Sequence, residues 1–182
     1  PDGSEVVYSS KLSVENNWDV RVIAATGGAS RQIVDTPDND WDPDWSPDGK
    51  WIAYNTAPID FSNADLWIVS TAGGQPRRLT DAPGGQWNPA FSPDGQWIAY
   101  TETPTASVQL MPTAGGTAIQ ISDPDYQSWR PRWSPDGQRI VFNASPTSGN
   151  LWVMPATGGE PSIVVENTAG EGSSRLMSWS PD

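Results

Sequence analysis

The chain has 182 residues and sets 22 Asp and Glu against 10 Lys and Arg, a net charge of −12 that repels nucleic-acid phosphates and anionic membrane surfaces. It contains no Cys and no His, which excludes a disulfide framework, a Ser-His-Asp triad, a Cys-His pair and a His-ligated zinc within it. The length is enough to bury a core, and no apolar run is long enough to cross a bilayer as a helix.

The chain opens on Pro1-Asp2-Gly3 and closes on Ser180-Pro181-Asp182, the two parts of a Ser-Pro-Asp-Gly motif that occurs complete at Ser46–Gly49, Ser92–Gly95 and Ser134–Gly137. Its prolines, Pro1, Pro47, Pro93, Pro135 and Pro181, lie 46, 46, 42 and 46 residues apart. Gly27-Gly28, Gly73-Gly74, Gly115-Gly116 and Gly158-Gly159 keep nearly the same period. Two markers in step define a repeat array of four units. Because the first residue lies inside a motif, with no initiator Met and no cap, the chain is expected to be a mature, excised or partial segment of a longer polypeptide.

In chain order, Glu5–Ser9 and Asp19–Ala24 read as strands, followed by a Gly-Gly hairpin and a short strand at Arg31–Val34. The next unit begins with a strand at Asp42–Ser46, turns on Pro47-Asp48-Gly49, and continues with strands at Trp51–Asn55, Asp65–Ser70 and Arg77–Thr80. The third unit repeats this at Pro89–Ser92, Trp97–Thr101, Ser107–Pro112 and Ala118–Ser122. The fourth has Arg139–Asn143, Asn150–Pro155 and Ser162–Val165, and Leu176–Ser180 aligns with the opening strand of a further unit. Proline presets φ in the turn, Asp accepts local backbone bonds and Gly tolerates positive φ. The second strands are apolar on both faces, as expected of a sheet covered on each side.

These patterns predict an all-β chain, a β-propeller built from four four-stranded blade repeats, either a closed four-blade ring or part of a larger propeller. The expected division is a single repeat array over 1–182. It comprises a split blade formed by 1–34 with 176–182, and blades at about 41–80, 87–122 and 129–165. Open ends would leave strand edges unpaired, so a homo-oligomer through blade edges is a possible partner arrangement.

The consensus Trp-x-Pro-x-(Trp/Phe)-Ser-Pro-Asp-Gly-x-x-Ile-(Ala/Val)-(Tyr/Phe), carried by Trp41–Tyr54, Trp87–Tyr100 and Trp129–Phe142, resembles the TolB-type, WD-like propeller repeat. Leu79-Thr80 matches the end of that family's fourth strand, while Ile33-Val34, Ile121-Ser122 and Val164-Val165 only approach it. The resemblance covers essentially the whole chain. It implies a bacterial periplasmic or extracellular setting and places Trp41, Trp87 and Trp129 near one mouth of a central channel.

Those tryptophans can stack on a sugar or grip a peptide, or pack between blades as repeat core. Arg175 stands where a fourth Trp belongs, and Asp44, Asn88, Arg130 and Arg132 are the neighbouring groups able to orient a ligand. Asp38, Asp40, Asp42 and Asp44 alternate within one loop and can offer oxygen ligands to calcium, though the Gly and the distal Glu of an EF-hand are missing. The competing reading is a solvated turn capping strand ends. Asp42 and Asp44 are also a carboxylate pair, but nothing in their spacing selects glycoside hydrolysis. Asn143-Ala144-Ser145 fits a glycosylation sequon that is followed by Pro146.

The functional expectation is a non-catalytic binding or scaffold module that recognises a protein, peptide or glycan, with no nucleic-acid partner, no membrane insertion and no cofactor other than a possible calcium. One alternative is the access-restricting propeller of a larger hydrolase resembling the prolyl oligopeptidase type. Without His and without a Gly-x-Ser-x-Gly elbow, any such catalysis would lie outside this chain. Another is a self-assembling structural or filament subunit.

Overall fold

Each intact Ser-Pro-Asp-Gly motif folds into one hydrogen-bonded device that joins the first strand of a blade to the second. In the computed structural model, which describes residues 1–11, 17–144, 150–166 and 177–181, the Ser92 hydroxyl donates to Asp94 Oδ1 and accepts the Trp97 N–H at 2.9 Å. The Ser92 N–H donates to the Trp97 carbonyl and the Gly95 N–H to the Ser92 carbonyl, both at 2.9 Å. Gly95 sits at φ 70°, a left-handed value that favours glycine. The same bonds join Ser46 to Asp48 and Trp51, and Ser134 to Asp136 and Arg139. The three hydroxyl-bearing side chains are buried.

The fifteen described strands form antiparallel sheets ordered by sequence. Strands β1 (Glu5–Ser10), β2 (Asp19–Ala24) and β3 (Arg31–Gln32) make a three-stranded sheet. Strands β4 (Asn39–Trp45), β5 (Trp51–Ala57), β6 (Asp65–Ser70) and β7 (Arg77–Arg78) make the next, with four. Then come β8 (Gln86–Phe91), β9 (Trp97–Glu102), β10 (Ser107–Pro112) and β11 (Ile119–Gln120). The last sheet comprises β12 (Trp129–Trp133), β13 (Arg139–Ala144), β14 (Asn150–Pro155) and β15 (Ser162–Val165). Among the described residues a single 3-10 turn, Pro124–Tyr126, interrupts this pattern.

Three of the four blades thus show the expected four strands, and the first shows three. Residues 177–180, part of the segment expected to be an opening strand, have no strand assignment, and Leu176 lies outside the described residues. Strand β1 is correspondingly less buried than its counterparts: Val6 is 50% exposed, whereas Ile52, Ile98 and Ile140 at the same repeat position are fully buried. Strands β3, β7 and β11 are shorter than Arg31–Val34, Arg77–Thr80 and Ala118–Ser122 would require, whereas β15 spans Ser162–Val165. The N–H groups of Ile33 and Val34 both turn to the Val20 carbonyl, and those of Ile121 and Ser122 both to Val108. Two donors on one acceptor end the ladder and carry Val34 into the core.

The chain divides into two units, Pro1–Pro89 and Ala90–Asp182. In the first, Val20, Val22, Val34, Ile52, Tyr54 and Val69 form the buried cluster. In the second, Ala99, Val108, Leu110, Ile140, Phe142 and Met154 do so, with Trp97, Trp133 and Trp152 packed against them. Here the Trp133 indole N–H donates to the Ala90 carbonyl at 3.1 Å, and the Trp179 indole makes the equivalent bond one repeat later, to Arg132, at 3.2 Å.

Replacing the buried Ser92 with Ala leaves the Trp97 N–H without its hydroxyl acceptor and takes one of two donors from the exposed Asp94 carboxylate. The expected loss is about 1–3 kcal/mol of unfolding free energy, measurable by urea denaturation.

Candidate ligand-binding face

Trp41, Trp87 and Trp129, which the structure places within the opening strands β4, β8 and β12, are followed by a backbone distortion. Asp42, Asn88 and Arg130 occupy the left-handed region at φ 50°, 56° and 58°, and none is glycine. The pairing of β4 with β5 shifts register between Trp41 and Asp44, and that of β12 with β13 shifts between Trp129 and Arg132. These are β-bulges, which bend the strand and re-aim its side chains. A buried polar side chain near the end of the preceding blade's second strand holds each distorted residue in two of the copies. Asn55 Oδ1 accepts the Asn88 N–H at 3.3 Å, and Thr101 Oγ1 accepts the Arg130 N–H at 3.1 Å. Sequence reading passed over Asn55 and Thr101, although a polar residue within an otherwise apolar strand was a usable signal.

In the first unit the Trp41 ring stacks on Phe61, with centroids 5.1 Å apart and planes 10° apart, and also on Trp87 at 6.4 Å and 27°. Beside them Asn88 Nδ2 donates to Asp42 Oδ2 at 2.8 Å. Phe61 stands on the loop between β5 and β6 at φ 58°, its N–H bonded to the Pro58 carbonyl. There Phe61 is 58% exposed and Ile59 59%. The result is an aromatic ledge with an amide–carboxylate pair at its side. The structure brings Trp41, Trp87 and Asn88 together with Asp42, which the sequence offered as a calcium ligand, and Phe61 joins them from a loop whose sequence carries no turn signature requiring it.

Trp129 belongs to the second unit and is 38% exposed. There the Arg132 side chain donates to the Pro131 carbonyl. Asp44 lies partly buried on β4, and Arg175 lies outside the described residues. So does Ser145 of the glycosylation sequon.

The four alternating acids do not act as one group. Alternation puts residues 38, 40, 42 and 44 on one side only if the strand is regular, and the bulge at Asp42 breaks that regularity. Asp40 is fully buried, with one oxygen accepting from Thr56 at 2.7 Å and the other from Thr36 at 2.9 Å. Asp42 is turned to Asn88. Among the described residues no three acidic side chains are placed to hold a metal ion, so the calcium arrangement expected of Asp38, Asp40, Asp42 and Asp44 does not fit this geometry.

No protein-family model and no curated protein matches the sequence. Among solved structures, a TolB protein from Agrobacterium tumefaciens superposes with a TM-score of 0.85 at 27% identity, over 100% of this chain and 68% of its own. The chain has the TolB-type β-propeller fold. TolB from Acinetobacter baumannii matches with a TM-score of 0.53 at 15% identity, over 93% of this TolB-type chain and 54% of that one. An oligogalacturonate lyase in complex with manganese matches at 0.69 and 14% identity, over 93% and 51%. These two share the fold, and the TolB-type chain spans about half the length of each.

Burial pushes the Asp40 carboxyl up to about 6 against the opposing bonds from Thr56 and Thr36. Its folded value therefore lies above its unfolded one, so the folded state holds the proton more tightly. The stability this group contributes is full below about pH 4 and is lost as pH rises through 6. Asp40→Asn is expected to remove that loss. Relative to the parent, the variant gains on the order of 2–3 kcal/mol between pH 4 and pH 7, read from urea unfolding at each pH.

Proposed function

We propose that this TolB-type chain is a non-catalytic binding module that recognises a protein or peptide, with a glycan as the other candidate ligand class, in a bacterial envelope or extracellular setting. The carrying observation is the ledge of Phe61, Trp41 and Trp87 beside the Asn88–Asp42 pair. Large aromatic groups at the centre of a patch with polar groups at its side are the residues on which protein recognition energy concentrates. Trp41 is already stacked on two rings, and Ile59 and Phe61 on the β5–β6 loop are each more than half exposed. That geometry favours an apolar side chain of a protein partner over the flat face of a sugar.

Trp129, with Arg130 and Arg132, is a patch at the equivalent repeat position of the second unit, and it carries more positive charge. Asp44 and Arg175 complete the proposed set of ligand-orienting groups. The envelope setting rests on likeness to the TolB structures.

Binding measured by biolayer interferometry against panels of envelope proteins and envelope glycans tests this reading. Phe61→Ala and Trp41→Ala are each expected to weaken the productive interaction by about tenfold or more, as truncation of an interface anchor does. Unaltered affinity in both variants and in Trp87→Ala sinks the ledge as the recognition surface.

A further inference from the structure

Beside the Ser-Pro-Asp-Gly turns the residue four places after a motif proline stands near the tryptophan two places before the next such proline, and two of these pairs line a cleft. The three described examples differ in composition. In the first unit the pair is Glu5 and Trp45, and the cleft is about 290 Å³. Arg31 enters it, pairing with Glu5 at 3.3 Å and donating to the Thr71 carbonyl. At the end of the second unit the pair is Arg139 and Trp179, and the Arg139 guanidinium lies over the Trp179 ring, 5.9 Å from its centroid. In both examples the protein supplies its own guanidinium beside the tryptophan.

The remaining example, inside the second unit, has Trp97 and Trp133 at these positions, and Ile119 where the first unit has Arg31. No Lys or Arg lines it among the described residues, and its volume is about 700 Å³. Its walls are apolar and aromatic, with Ile119 still 56% exposed. At its rim stand Asp94 and Asp136. The bonds each receives, from a serine hydroxyl and from the backbone N–H two residues on, fall on Oδ1, leaving the second oxygen without a protein donor among the described residues. Those bonds also hold both carboxyls below the usual carboxylate range, so they are ionised at neutral pH. Arg139, which assists Asp136 in this, is directed to the Trp179 ring.

We propose that the cleft between Trp97 and Trp133 is a binding site for a small organic cation, a guanidinium or ammonium carried on an aryl or alkyl body. The body lies against Trp97, Ile119 and Trp133, and the cationic end meets the indole faces and the rim carboxylates of Asp94 and Asp136. An indole face attracts a cation through its quadrupole, and a concave, largely apolar cavity with few charged groups is the usual form of a small-molecule site. The site is separate from the aromatic ledge of the first unit, so either can fail without the other.

Isothermal titration calorimetry on the whole chain tests this with 2-phenylethylguanidinium and its uncharged counterpart 2-phenylethanol. The cation is expected to bind about tenfold more tightly than the alcohol, and the preference to shrink in high salt. Ile119→Arg, at an exposed position, is expected to abolish cation binding by restoring the guanidinium found in the first unit. Asp136→Asn, which keeps an acceptor for the turn, is expected to remove most of the preference for the cation while leaving the alcohol unaffected. Equal affinity for the two probes, binding of neither, or full cation binding in a folded Ile119→Arg variant overturns the proposal. A urea-unfolding midpoint close to the parent's establishes that the variant is folded.

Discussion

The serine hydroxyl of the intact Ser-Pro-Asp-Gly turn is the constraint from which three of the blades follow. Buried at Ser46, Ser92 and Ser134, it donates to the turn aspartate and accepts the N–H of the first residue of the next strand. That fixes which residue begins the second strand, and period-2 alternation then assigns every side chain after it to a face. The turn aspartate is held in its ionised form by the same serine: the Ser46 hydroxyl is the main reason the Asp48 carboxyl falls to about 2. The contribution of such a carboxylate is present above its unfolded value near pH 4 and fades as pH falls towards 2, the opposite sense to Asp40.

A second device opposes the regularity set by the first. After Trp41, Trp87 and Trp129 the backbone enters the left-handed region at a residue bearing a side chain, which costs about 1–2 kcal/mol at each position. The bond from Asn88 N–H to Asn55, and from Arg130 N–H to Thr101, offsets part of that cost at two of them. Strain of this kind persists only where the surroundings over-determine it. Its effect is to rotate the tryptophan and the residue after it off the sheet's own alternation, and in the first unit this brings Trp41 against Phe61 and Asp42 against Asn88.

What could be read from the sequence divides along the same line. The turns, the Gly-Gly hairpins and the doubly buried second strands were legible because each depends on residues within a few positions of one another. Strands β3 and β11 are shorter than the sequence suggests because two N–H groups converge on one carbonyl, a tertiary choice that composition does not encode. The acidic run from Asp38 to Asp44 looked like a ligand set because regular alternation was assumed across a bulge. Phe61 was invisible for a related reason, since its ledge position depends on a positive φ at a residue type that rarely adopts one. Asn55 and Thr101 were in plain view, yet they gain meaning only once the next blade's strained N–H is known to need them.

The repeats hold their framework fixed and differ where a side chain faces a cleft or a bulge. Glu5, Trp97 and Arg139 begin second strands at one repeat position with three different chemistries, and Arg31 and Ile119 differ in the same way. The backbone donors and acceptors that define these positions are unchanged between Trp97 and Arg139, so the differences do not arise from a need to satisfy the turn. An ion pair such as Arg31–Glu5, exposed on both sides, contributes at most about 1 kcal/mol, and its absence from the cleft lined by Trp97 is a small loss for the fold. The physical consequence is larger for binding than for stability, because removing a charged side chain from an aromatic-walled cleft opens volume at a place the framework already holds rigid.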